Sequence, residues 1–478
     1  MTRRNTWIRA LVVLAALSLV AAACGDDAEE APATTAAPAT TAAPTTTAAP
    51  EPEPAGFDWR QAEGSEVSLL FVSHPFVDSV EPLLVQFEDL TGITVNVETL
   101  AETQANEKLL ADLSTGSGVY DVFMSSPLQN WQYATAGWLE PLDDFLSDPA
   151  LTDADAYRVD DFFPGILGAN RWTLEELSGL GDGSLWGLPI NFETYLLAYR
   201  PSVFEEKGLE VPGTYDELID IAAELNDGSG SQYGIVTRFD KFWDLPYLTF
   251  GTMLASYGAT LINDDGTLGV CSAESVAATE DFISIISAGS PEGAGAFTWY
   301  EALQGFSSGQ FALSFNEADL FAPVYQDPEQ SEVTGDVGYA VTPEGPAGRA
   351  SGAWIWSVSM SSGSNNKVPA WLFLQWLTSP ETMVQTHLGG NMNPVRASAW
   401  ADEDVADLVN SWGAYEGQYV EVVSEMGQYA QILYPPHAEL TRALDRWAEA
   451  IQQSYFEGGN VEANLCAAEE DIADILGL

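Results

Sequence analysis

Apolar positions at the start of the globular sequence switch repeatedly between runs that suit strands and stripes that suit helices. Val67-Ser-Leu-Leu-Phe-Val72 is a short apolar run fit for a strand buried on both faces. Asp78 or Ser79 then stands where a helix cap is needed, with Glu81 and Pro82 in the first turn. Val80, Leu83, Leu84 and Phe87 form its apolar stripe, and Gly92 ends it. Ile93-Thr-Val-Asn-Val97 alternates as a second strand, Leu109, Leu110 and Leu113 mark the next helix, and Asp121-Val-Phe-Met124 reads as a third strand. Strand, helix, strand, helix, strand predicts an α/β fold with a parallel sheet between helices. Ligands sit at the C-terminal ends of the strands in such sheets, which singles out two loops, Ser73-His74-Pro75-Phe76 and Ser125-Ser126-Pro127.

A different pattern precedes this region. Arg3, Arg4 and Arg9 lead into the apolar run Ala10 to Ala23, which is short for a bilayer span and ends in small residues before Cys24. That is an export signal, and the residues after Arg3-Arg4 do not continue a twin-arginine motif. Cys24 at this point resembles the cysteine of a bacterial lipobox, with Ala21 standing where Leu is usual. The resemblance implies that residues 1–24 are a lipoprotein signal peptide and that Cys24 becomes a lipidated N-terminus. The protein would then sit in the cell envelope, anchored on the outer face of the cytoplasmic membrane. A secretory signal followed by a chance cysteine is the alternative.

Residues 25–56 read as a linker. Ala28 to Pro54 is almost entirely Ala, Pro, Thr and Glu, too poor in apolar surface to offset the entropy of ordering. From Phe57 onward Trp, Tyr and Phe are spread to the end, and roughly 420 residues exceed what one hydrophobic core serves, so two lobes are expected. The chain carries 71 acidic and 16 basic residues. Removing Arg3, Arg4 and Arg9 with the leader takes the net charge from −55 to −58. Such a surface repels phosphate backbones, which argues against nucleic acid as a partner, and it also serves solubility without any bearing on the ligand. Cys271 and Cys466 remain after lipidation, an even pair in an oxidising compartment, so a disulfide competes with two separate buried thiols.

Signals for catalysis are sparse. There is no Gly-x-Ser-x-Gly elbow, no phosphate loop and no Cys-x-x-Cys. His74, His387 and His437 lack metal-ligand spacing, so neither a metal nor a cofactor is expected. With 71 carboxylates some pair is bound to fall at glycosidase distance, so a pair alone decides nothing.

Several segments occur in an order that resembles the family-1 bacterial extracellular solute-binding proteins. They are Tyr120-Asp-Val-Phe-Met124, Ala136-Gly-Trp-Leu-Glu-Pro-Leu-Asp143, Leu185 to Arg200, Thr214-Tyr-Asp-Glu-Leu218, Phe306 to Ala312 and Ala370 to Glu381. Trp299-Tyr-Glu, Val337-Gly-Tyr-Ala, Trp354-Ile-Trp356 and Asn393-Pro-Val-Arg396 look most like members that bind sugar alcohols such as sorbitol and mannitol. The resemblance implies two α/β lobes joined by crossing strands, one of 57–197 plus 356–394 and the other of 198–355 plus 395–478. It implies a monomeric receptor that passes a sugar or polyol to the permease of an ABC importer, and no enzymatic activity.

A polyol needs a flat apolar surface for its carbon skeleton and charged or amide groups for its hydroxyls. Glu193 matches the family's acidic ligand contact after the Gly-Leu-Pro strand. Trp299, Trp354 and Trp243 are candidate platforms, each against the alternative of an ordinary core tryptophan. Arg238 and Arg396 stand out among so few basic residues, as ligand donors or as salt bridges pinning loops. His74 and Ser126 lie in strand-end loops, Asn316 follows a strand-like run, and Glu102 is placed to enter from the N-terminal lobe. Two rivals remain: a polyamine receptor, since acids and aromatics also suit cations, and an anchored carbohydrate-active enzyme.

Overall fold

The computed structural model describes residues 56–478 apart from Asp227, Asp264 and Met392. The leader, Cys24 and all but the last residue of the linker lie outside the described residues. Among the described residues eleven strands follow in chain order: β1 Glu66–Val72, β2 Thr94–Leu100, β3 Val122–Ser125, β4 Arg171–Trp172, β5 Ser184–Leu185, β6 Leu188–Tyr199, β7 Tyr233–Val236, β8 Phe311–Ala318, β9 Gly338–Ala340, β10 Ser351–Met360 and β11 Ala430–Gln431. β4 and β5 form a small hairpin, and the rest form one continuous sheet in the order β2-β1-β3-β10-β6-β8-β7, with β9 added to β6 and β11 to β10.

The pairing divides that sheet into two halves. β2, β1 and β3 are parallel, and β10 closes their edge antiparallel. β7 and β8 are likewise parallel, and β6 runs antiparallel to β8. The long β6 belongs to both: its first part pairs with β10 from Leu188 to Thr194, its second with β8 and β9 from Tyr195 to Tyr199. Around Asn391 and Asn393 the chain runs against the same part of β6, where the Asn393 amide donates to Phe192 O (3.0 Å) and to Asp319 Oδ2 (2.8 Å). Thr194 Oγ1 donates to Asp319 as well (2.7 Å), so one buried carboxylate ties three segments together at the junction of the halves. This is the α/β two-lobe architecture that the alternating pattern and the resemblance imply.

The local elements follow from the sequence with one correction. The first helix does not begin at Asp78 or Ser79. It starts at Pro75, and His74 is its cap, its Nδ1 accepting from the Phe76 amide at 3.0 Å. Proline fits the first helical position because its fixed φ suits a helix and its missing N–H would have no partner there. Pro82 then interrupts the helix, leaving a 3₁₀ turn Glu81–Leu83 before a second helix Leu84–Thr91, which Gly92 ends at φ 70°. The helix Lys367–Leu377, with Trp371, Phe373 and Trp376 all buried, packs against β1 and β10 and fills the core of the first half. Cys271 and Cys466 are bonded, closing a loop of 195 residues and fixing the C-terminal helix Val461–Leu476 to the second half. Among the described residues no helix is long and apolar enough to cross a membrane.

Candidate ligand-binding cavity

Four tryptophans from separate parts of the chain meet at one small cavity between the halves of the sheet. Trp354 and Trp356 are two apart on β10, so strand alternation turns both the same way. Trp243 precedes the short helix Asp244–Tyr247, and Trp299 opens the helix Trp299–Ser307 under a Thr298–Glu301 capping box. The rings of Trp243 and Trp354 lie 5.0 Å apart, and Trp354 meets Trp356 edge-on at 5.6 Å. His74, Glu102, Glu193, Arg238, Asp244, Leu248 and Leu320 complete the lining. The cavity has a volume of about 20 Å³, room for roughly one water. No lining side chain exposes more than 7% of its surface, so a solute enters only when the walls part.

Indole N–H groups hold the cavity's carboxylates in place. Trp356 Nε1 donates to Glu193 Oε1 (2.7 Å), Tyr195 donates to Glu193 Oε2 (3.2 Å), and Trp299 Nε1 donates to Glu102 Oε2 (2.8 Å). Trp356 and Trp299 thus each aim an acid and line the cavity with the same side chain. Arg238 stands between two acids, donating to Glu317 from Nε and Nη2 (3.1 and 2.8 Å) and to Asp244 from Nη1 (3.2 Å). Two buried polar atoms of the cavity lining, Asp244 Oδ1 and His74 Nε2, find no partner among the described residues. Because His74 Nδ1 accepts from a backbone amide, its proton sits on Nε2, and that atom is an uncommitted donor. Unpaired buried groups are costly, and a hydroxyl-bearing solute would satisfy both kinds.

Burial sets the charge state. It pushes the Glu193 carboxyl up to about 8, with Arg238 pulling the other way, and Glu102 up to about 7, helped by repulsion from Asp244. Asp240, just outside the lining, is raised to about 8 by burial and by Asp244. His74 is held down at about 3, again by burial, and stays neutral. Protonated carboxyls donate as well as accept, so near neutral pH the cavity presents both functions to a neutral, hydroxyl-rich molecule.

Of the residues expected at the ligand, Glu193, Trp354, Trp299, Arg238, Trp243, His74 and Glu102 line this cavity, and three do not. Arg396 lies elsewhere, with no exposed surface; it donates to Thr378 O (2.7 Å) and Arg158 O (2.8 Å) and covers the ring of Phe162 at 3.8 Å. Asn316 sits at φ 48° and turns away to donate to the Tyr215 hydroxyl, while its neighbour Glu317 takes Arg238. Ser126 caps the helix Pro127–Thr135 by accepting from the Gln129 amide. Trp356 and Asp244 were not singled out. Trp356 was readable from its two-residue spacing to Trp354, whereas nothing local marks Asp244. A larger groove of about 650 Å³ lies elsewhere, against Phe57, Trp59, Tyr157 and Trp376, and it is open and lacks a convergence of buried charged groups.

In sequence and in fold the chain matches known proteins over most of its length. A family model described as bacterial extracellular solute-binding protein matches residues 75–384. The chain belongs to that family. An erythritol/L-threitol-binding protein of Mycolicibacterium smegmatis is 33% identical over 415 residues, covering 86% of this chain and 85% of the relative. A mannitol-binding protein of Pseudomonas aeruginosa is 26% identical over 66% of this chain and 70% of its own. In fold, the chain superimposes on a solute-binding protein from Agrobacterium radiobacter solved with ribitol, with a TM-score of 0.76 at 23% identity, covering 86% of this chain and 99% of that one. These relatives are solute-binding receptors rather than enzymes.

Proposed function

We propose that the protein is the lipid-anchored receptor of an ABC importer and that it captures a short acyclic polyol in this cavity. The observation that carries the reading is the cavity's combination of four lining tryptophans with indole-held carboxyls and an uncommitted imidazole N–H. Ring faces suit the carbon–hydrogen side of a polyol, and the acids and imidazole suit its hydroxyls. The relative that binds erythritol and L-threitol supports a four-carbon polyol in particular. The lobes of this reading are 57–197 with 356–394, and 198–355 with 395–478, hinged where β6 and β10 pass between the halves. Export, lipidation at Cys24 and a linker that holds the lobes off the membrane complete it.

Calorimetric titration of the mature protein with erythritol, L-threitol, ribitol, mannitol, maltose and spermidine tests the reading. One-to-one binding of a tetritol or pentitol, with the polyol recovered unchanged, is the expected result. Binding of spermidine alone would replace it with the polyamine reading, and turnover of a saccharide would replace it with an enzymatic one.

A further inference from the structure

We infer that Tyr300 is a latch that fastens the two walls of the cavity and thereby sets how long a bound solute is retained. Its ring stacks on Trp299 at 3.7 Å, but Tyr300 itself does not line the cavity and sits half-buried at the rim. The helix that carries both residues, Trp299–Ser307, packs on β8 and β7 in the second half of the sheet. The hydroxyl reaches across to the first half. It donates to Ser73 O (3.1 Å), in the loop after β1, and accepts from the Glu102 amide (3.2 Å), at the start of the helix after β2. Trp299 Nε1 adds the bond to the Glu102 carboxyl beside it.

The Glu102 amide is a first-turn helical N–H with no partner inside its own helix, and the Ser73 carbonyl stands beside the strand end. When the walls part, both return to water, so the two bonds exist only in the closed form and act on opening rather than on encounter. Two neutral hydrogen bonds with water as the competing partner amount to about tenfold in the opening equilibrium. Tyr300 is therefore a positioning residue: it holds Trp299 and Glu102 against the solute without touching the solute. Polyol retention rests on the function proposed above; the latch contact does not.

Tyr300→Phe removes the hydroxyl and keeps the ring stacked on Trp299. Stopped-flow dissociation of erythritol from the variant is expected to be about tenfold faster. Association should stay within about twofold. Unchanged dissociation, with or without a lower midpoint, would overturn the latch. If no polyol binds at all, the proposed function fails and the latch is tested without ligand, through the exchange of the Glu102 amide hydrogen. Faster exchange in Tyr300→Phe supports the latch, and equal exchange in the two proteins overturns it.

Discussion

Arg238 and Arg396 are both buried arginines in a chain short of basic residues, yet they occupy opposite surroundings. Arg238 stands among titratable groups with raised carboxyls on every side: Glu102 and Glu193 across the cavity, and Asp240 and Asp244 beside it. Unpaired polar atoms remain on Asp244 and His74. Arg396 is wedged between the rings of Phe162 and Tyr157, and its Nε and Nη1 donate to two backbone carbonyls and Asp161 while Nη2 finds no partner among the described residues. One environment gathers raised carboxyls around a cavity, and the other uses its charge to tie down backbone. A receptor needs both: a rigid frame, and a site that a solute completes.

Removing Arg396 should have the largest effect, and on the fold alone. Arg396→Met fills similar space but leaves Thr378 O and Arg158 O without their donor, and strips the cation from two aromatic faces. A loss of about 3 kcal/mol is expected in urea denaturation, with polyol affinity of the folded fraction within about twofold of wild type. Loss of affinity without loss of stability would place Arg396 in the site after all and erase the contrast.

The cavity should behave the other way, losing affinity before stability. Glu193→Ala removes the acceptor held by Trp356 and Tyr195 and is expected to weaken polyol binding about tenfold to a hundredfold by calorimetry. The two regions also carry opposite pH signatures. Glu193 and Glu102 have carboxyls raised to about 8 and 7 in the closed form, so their contribution to that form is complete below about pH 4.5 and is lost as pH rises toward 8. Burial works against Asp161, but the bonds from Ser398 and the charges of Arg396 and Arg158 hold its carboxyl below the usual range. Its contribution is complete above its ordinary pKa and is lost as pH falls. Glu193→Gln, neutral at every pH, should flatten the decline of affinity between pH 6 and 8 while leaving the acid-side loss of stability in place. An unchanged decline would show that the other buried acids, not Glu193, carry it.

The same contrast explains what could be read from the chain. The strands β1 to β3 were legible because their apolar runs are local, and Gly92 ends its helix at left-handed φ. The start of the first helix was missed because an imidazole cap before Pro75 competes with the usual acidic and hydroxyl caps nearby. Within the site, Glu193 and Trp354 were marked by motif, whereas Trp356 was not. The roles of the arginines were not, since their partners are remote: Glu317 stands 79 residues from Arg238, and Asp161 stands 235 from Arg396. Residue type told that a buried cation was present; only the fold told which polar atoms met it.

Asn316 gives the smallest expected effect and the sharpest check on where the frame stops. It lies next in sequence to Glu317, which holds Arg238, yet its own side chain turns to Tyr215 and the Thr249 carbonyl on the far side. At φ 48° it occupies the left-handed region, where glycine is comfortable and a β-branched residue is strained. Asn316→Gly therefore trades a hydrogen bond worth about 1 kcal/mol against relief of backbone strain of similar size, and the melting midpoint should move by only a few degrees. Asn316→Val keeps neither the bond nor an easy φ and should cost about 2 kcal/mol or more, without changing the polyol stoichiometry. If Asn316→Gly instead weakened binding tenfold at unchanged stability, the side chain would belong to the cavity, and the boundary between frame and site would have to move one residue along β8.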